Sequence, residues 1–246
     1  MVTLQLNRVS ARYGRRPILE EITTPCFQGG QVVALLGLNA AGKSTLFRRV
    51  LGLLKDEGEV IISAERPVGY MPQDTGAKAV LAVYESVLLA RMQERGLKVQ
   101  PEDLAQVDRA LEELSITTLG ERDIGDLSGG QRQLVSAAQA LVQEPEILML
   151  DEPTSARDLN RQISLLTVLR RLADERQMLI LVALHNLGHA LRFADAAMML
   201  ENGRLIAYGS TAEVITPALL RQVYRVSTRI ESCSKGQPQL IVEAAI

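Results

Sequence analysis

Gly37-Leu38-Asn39-Ala40-Ala41-Gly42-Lys43-Ser44-Thr45 follows an apolar run at 31–36 and opens a stretch of helical spacing at 43–53. Gly-x-x-x-x-Gly-Lys-Ser is the pattern a phosphate-binding loop needs. Its glycines let the backbone curl so that successive N–H groups point inward at phosphate oxygens. A helix starting near Lys43 aims the positive end of its dipole at the same point. Lys43 is placed to reach the terminal phosphates, and Ser44 to offer a hydroxyl to a divalent cation. The plainer reading is a glycine-rich turn with a chance Lys-Ser. A buried strand before it and a helix after it weigh against that.

Outward from the loop, 2–6 and 9–13 read as strands, followed by a turn at Gly14, and 60–62 and 68–71 as short strands. Helical spacing and many charges mark 83–95 and 101–114 as a separate helical lobe, with a further helix at 130–143. The continuous apolar runs 147–150 and 178–183 suit parallel strands buried on both faces, joined by a crossover helix at 159–176. A hairpin turned by Glu201-Asn202-Gly203 joins 197–200 to 204–208. A last helix at 218–224 precedes a terminal hairpin formed by 226–231 and 239–242.

Two more stretches bear on chemistry. Leu127-Ser128-Gly129-Gly130-Gln131 lies shortly before Ile147-Leu148-Met149-Leu150-Asp151-Glu152-Pro153, an apolar strand ending in two acids. With the phosphate loop, these resemble the ATPase subunit of an ABC transporter, over residues 2 to about 226. The resemblance implies an α/β fold: a P-loop NTPase with a RecA-like core, an antiparallel β subdomain and an inserted helical subdomain. It implies one domain over 1–246, with the helical subdomain at about 74–127 and a C-terminal hairpin at about 226–246. The implied cofactors are ATP and Mg²⁺.

The resemblance also assigns roles. Tyr13 stands where an aromatic stacks on adenine. Gly37, Leu38, Asn39, Ala40, Ala41, Gly42, Lys43, Ser44 and Thr45 cradle the phosphates. Asp151, with Ser44 and Gln73, holds the metal, and Glu152 is the catalytic base that polarises the attacking water. Gln73, in Tyr70-Met71-Pro72-Gln73, touches metal and water and links to the helical lobe. His185 contacts the γ-phosphate, and Asp158 ends the loop after Glu152. Ser128, Gly129, Gly130 and Gln131 complete, in trans, the ATP site of a second subunit bound head to tail. Taken alone, a tyrosine at a strand end is packing or surface, an acid pair is a solvated turn, and a histidine after a strand is a structural hydrogen-bonding residue.

The chain departs from the family pattern at Ala40 (usually Gly), Leu38 (often Pro), Arg157 (usually Leu) and Asn186 (usually Asp). Ala40 strains the loop if it needs φ > 0. Arg157 bears on dimer strength.

Composition bounds the rest. A 246-residue chain with 47% hydrophobic and 23% charged residues suits one soluble α/β domain. A net charge of −2 gives no reason to expect nucleic acid. Cys26 and Cys233 are too few for a disulfide framework, and His185 and His189 belong to no zinc-ligand cluster. No run approaches the roughly 18 apolar residues of a membrane span, so the membrane-crossing part must be another chain. The resemblance supplies it: an integral membrane permease, fed by a periplasmic or surface substrate-binding protein, with this subunit on the cytoplasmic face of the inner membrane. The stretches 184–195 and 209–220, with Gln131-Arg132-Gln133-Leu134-Val135, are most similar to the ferric-siderophore, haem and cobalamin uptake group. The compact segment 55–70 is more like zinc and manganese importers. A regulatory ATPase without a transport role is the reading from a different class.

Overall fold

The computed structural model describes residues 1–73, 81–93, 96, 98–154, 158–234 and 236–246. The expected start of the helical lobe at 74–80, the end of the 83–95 helix and the loop position Arg157 lie outside these residues.

Strands β1 (Thr3–Asn7), β2 (Val9–Tyr13), β3 (Arg16–Ile22) and β4 (Phe27–Gln28) lead into β5 (Val32–Leu36), the phosphate loop and helix α1 (Lys43–Val50). Strands β6 (Glu59–Ser63) and β7 (Gly69–Met71) are followed by helices α2 (Val83–Met92), α3 (Pro101–Glu113) and α4 (Gly129–Leu141). The order then runs β8 (Ile147–Asp151), α5 (Leu159–Arg176), β9 (Leu179–Ala183), α6 (Leu187–Phe193), β10 (Ala196–Glu201) and β11 (Arg204–Ser210). Helices α7 (Thr211–Val214) and α8 (Pro217–Tyr224) precede the terminal hairpin of β12 (Val226–Ser232) and β13 (Pro238–Ala245).

The central sheet has six strands in the order β11-β10-β5-β9-β8-β7. All its pairings are parallel except β10–β11. Every residue of β5, β8 and β9 is buried, as strands covered on both faces must be. Alternation along β5 divides the core. Val32, Ala34 and Leu36 face the helical side, with Val87, Val107 and Leu141. Val33 and Leu35 face α1 and the antiparallel sheet β4-β1-β6, with Leu4, Leu46 and Phe47. This sandwich holds the phosphate loop and the end of β8 at the carboxyl ends of the parallel strands.

Several elements differ from the sequence reading, among them α1, β3 and α6. Helix α1 stops at Val50 rather than running to residue 53, because Gly52 adopts φ 71° just past the Leu51 cap and Arg49 and Arg48 carbonyls accept the N–H groups of Gly52 and Leu53. Strand β3 was not expected. Its Arg-Pro start and paired glutamates hide the pattern, and it pairs with β2 through an irregular register. Helix α6 was also unexpected. Asn186 caps it, its Oδ1 accepting from the His189 N–H at 3.2 Å. Asparagine caps as well as aspartate, so this departure keeps its local job.

Candidate active site

Two positions of the phosphate loop leave no room for a side chain. Gly37 has φ 142°, and a Cβ there would lie 2.4 Å from the Leu200 carbonyl oxygen. Gly42 has φ 107°, and a Cβ there would lie 2.7 Å from Leu19 Cδ2. Ala40, with φ 63°, is the exception. A Cβ in this left-handed region costs about 1 kcal/mol, so the strain that the sequence raised as a condition is present in the loop.

Lys43 is 5% exposed, and its Nζ donates to the carbonyls of Gly37 at 2.9 Å and Leu38 at 3.2 Å. Burial pulls its ammonium below the usual lysine value, and the charges of Glu152 and Asp151 pull it back up. Ser44 lies in the first turn of α1 and hydrogen-bonds Asp151, which is 1% exposed. Burial raises the Asp151 carboxyl above the usual carboxylate value, against a hydrogen bond from Ser44. The other oxygen, Asp151 Oδ1, is buried without a hydrogen-bond partner. A buried carboxylate oxygen left this way calls for a cation or a bound water.

Glu152 binds these parts together. Its Oε2 accepts from Gln73 Nε2 at 2.7 Å, and its Oε1 lies 2.6 Å from His185 Nε2 and 3.7 Å from Lys43 Nζ. The strands bring this about. Residues Met71 and Leu150 pair in β7–β8, and Asp151 and Ala183 pair in β8–β9, so Gln73, Glu152 and His185 leave adjacent strands at the same end. Glu152 takes φ 54°, a strained conformation of the kind that collects at functional sites. Tyr13, 44% exposed, is tied to α1 by a hydrogen bond of 3.0 Å from Arg48 Nη1 to its hydroxyl.

Ser128, Gly129, Gly130, Gln131 and Asp158 form a separate group. Ser128 caps α4, where its Oγ accepts from the Gln131 N–H at 3.3 Å and its own N–H donates to Gln131 Oε1 at 3.0 Å. Asp158 caps α5, its Oδ1 accepting from the Arg161 N–H at 3.3 Å. Among the described residues, no hydrogen bond or ion pair joins this group to Lys43, Asp151 or Glu152.

Sequence reasoning passed over Arg48, Arg161 and Tyr224. The Tyr224 hydroxyl accepts from the N–H of Gly37 at 3.1 Å, a contact between residues 187 apart for which no local pattern exists. Tyr224→Phe would leave that buried N–H unpaired, at a cost of about 1–3 kcal/mol. The variant is expected to melt at lower temperature and to bind nucleotide more weakly than the parent. Thermal melts with and without nucleotide check this, and an unchanged nucleotide affinity would separate Tyr224 from the loop.

Comparison with known proteins agrees with this layout. Residues 22–155 match the ABC transporter family. The iron(3+)-hydroxamate import ATP-binding protein of Bacillus subtilis is 34% identical over 244 residues, covering 94% of this chain and 90% of its own. The hemin import ATP-binding protein of Shewanella denitrificans is 33% identical over 254 residues, covering 97% of this chain and 100% of its own. A solved chain described as a metal-chelate type ABC transporter in an inward-facing conformation superposes with a TM-score of 0.89. It is 25% identical, over 99% of this chain and 98% of that one.

Proposed function

The chain belongs to the ABC transporter family, and from that membership we propose that it binds and hydrolyses ATP to power an importer of iron-siderophore complexes. The observation that carries the ATPase reading is Glu152, held by Gln73 and His185 beside Lys43 of the phosphate loop. Tyr13 offers its ring to adenine, and the loop from Gly37 to Thr45 wraps the phosphates. Lys43 exchanges its carbonyl partners for the terminal phosphate oxygens. Ser44, Gln73 and the unpartnered Asp151 Oδ1 would hold Mg²⁺, which would offset phosphate charge during the transfer. Glu152 accepts a proton from the attacking water while the water oxygen bonds to the γ-phosphorus. The bond from the γ-phosphorus to the bridging oxygen breaks, and ADP and phosphate are left. His185 and Gln73 hold the carboxylate in line.

The group at Ser128 acts on a second copy bound head to tail. There its hydroxyl, the N–H groups at the start of α4 and the helix dipole complete an anion site in trans. A groove of about 820 Å³ between the end of α1 and the helical lobe, lined by Leu53, Tyr70, Leu81, Leu89 and Arg132, is the surface offered to the permease. Leu53 is 70% and Leu89 49% exposed there, as a docking surface requires. Among the described residues no helix is long and apolar enough to cross a membrane. The subunit therefore reaches the inner face of the membrane through that permease, and a periplasmic or surface binding protein delivers the cargo.

Substrate is the finer part of the reading. The named relatives import ferric hydroxamate and hemin, which favours chelated iron over the zinc or manganese suggested by the short 55–70 segment. Deleting the chain from its host is expected to abolish uptake of a radiolabelled ferric siderophore and leave zinc and manganese uptake intact. Loss of zinc or manganese uptake alone would reverse the assignment. Unchanged uptake of all three, with no multi-span membrane protein co-purifying, would favour the regulatory ATPase.

A further inference from the structure

We propose that Arg161 is a positioning residue that fixes the Ser128 hydroxyl as a hydrogen-bond donor toward the nucleotide held by a second copy of this chain. The proposal rests on the reading that Ser128 acts in trans. A serine hydroxyl has one proton and two lone pairs. Both lone pairs of Ser128 Oγ are taken: the Gln131 N–H donates at 3.3 Å and Arg161 Nη1 at 3.1 Å. The proton is left to point away from both donors. Ser128 is exposed, so that direction leads out of the chain. A phosphate oxygen accepts hydrogen bonds only, so a hydroxyl fixed as a donor matches it. Without Arg161, the second lone pair is open and the hydroxyl turns freely between donating and accepting roles.

Arg161 is itself held. Its Nε lies 3.1 Å from Asp158 Oδ2, while Asp158 Oδ1 takes its backbone N–H. One carboxylate therefore grips both ends of the residue. The next residue, Gln162, donates from Nε2 to the carbonyl of Thr154 at 2.7 Å. The first turn of α5 thus ties Ser128, which faces the partner's nucleotide, to the chain segment that follows Glu152 in its own site. The guanidinium also places a positive charge behind the hydroxyl, on the side away from the incoming phosphate.

The test uses the full chain with Glu152→Gln, which traps the ATP-bound dimer, and reads the ATP concentration needed for dimerisation by light scattering. Arg161→Ala is expected to raise that concentration about tenfold, the loss of one charge-assisted hydrogen bond, while ATP affinity of the single chain and melting temperature stay at the parent values. Arg161→Lys, which keeps a cationic donor, is expected to recover part of the loss. In a Ser128→Ala background, Arg161→Ala is expected to cost nothing further, because its target is gone; a merely structural role would add its full cost in both backgrounds. An unchanged or lowered dimerisation threshold in Arg161→Ala, or additive losses in the double variant, would overturn the proposal. Failure of Glu152→Gln alone to dimerise with ATP would instead overturn the trans reading, and Arg161 with it.

Discussion

Glu152→Gln is expected to bind ATP and to turn it over at least about a hundredfold more slowly than the parent, the range of a lost general base. Binding survives because Lys43, Ser44 and Asp151 remain in place. Turnover fails because a neutral amide is a poor proton acceptor. The surroundings sharpen the expectation. Glu152 takes a donor from Gln73 on one oxygen and faces His185 and Lys43 with the other. An amide has one oxygen, so it satisfies one side of this arrangement and turns its NH₂ group toward the other. The charge beside Lys43 also falls, leaving Asp151 to oppose the burial that weakens its ammonium. The trapped species should be an ATP-bound dimer, seen by gel filtration with ATP and absent with ADP. Turnover at the parent rate would remove Glu152 from its assigned role.

How far the sequence discloses this site depends on distance along the chain. Gly37, Gly42, Lys43 and Ser44 are a local device. One turn, one strand and one helix produce it, so its spacing is visible in the eight residues from Gly37 to Ser44. Asp151, Glu152, Gln73 and His185 are less local, yet each ends a short apolar strand or follows one within two residues. Parallel pairing then carries them to the same end of the strands. Their convergence is thus a consequence of strand order, which the apolar runs suggest and do not fix. Tyr224 and Arg161 are a different case. Tyr224 reaches Gly37 because α8 packs beside the loop, and Arg161 reaches Ser128 because α5 starts beside α4. Neither position differs in pattern from an ordinary surface or packing residue.

The fold divides in the same way. The crossover helix α5 is found at its expected bounds, because Asp158 caps it and Gln177 leaves it in the left-handed conformation. The hairpin at Asn202-Gly203 takes φ 48° and 79°, the positive pair its turn residues favour. Strand β3 escapes because charged side chains on an exposed ribbon carry no apolar alternation: Arg16 and Pro17 are exposed, while Leu19 and Ile22 are buried.

Ser128→Arg and Lys43→Ala are expected to be nearly inactive alone and to recover activity when mixed. Lys43→Ala loses the charge that faces the terminal phosphates, so its own loop holds ATP poorly. Ser128→Arg keeps its loop, because among the described residues Ser128 shares no hydrogen bond with it, and this variant should still bind ATP. It should fail at closure. A second guanidinium would stand beside that of Arg161, now 3.1 Å from the Ser128 hydroxyl, and would fill the space meant for the partner's phosphate. In a heterodimer of the two, both lesions fall in one composite site. The other site joins the intact loop of the Ser128→Arg chain to the intact Ser128 group of the Lys43→Ala chain. Random pairing makes half the dimers mixed, so independent sites would give about a quarter of parental turnover in a two-fold assembly. Trapping labelled ATP in the mixed dimer reads the same intact site where turnover needs both sites. Recovery by either measure requires a site built from two chains, since each chain alone lacks one half. Full activity of Ser128→Arg by itself would show that Leu127-Ser128-Gly129-Gly130-Gln131 completes no site, and the assignment of this group to a partner's nucleotide would fall.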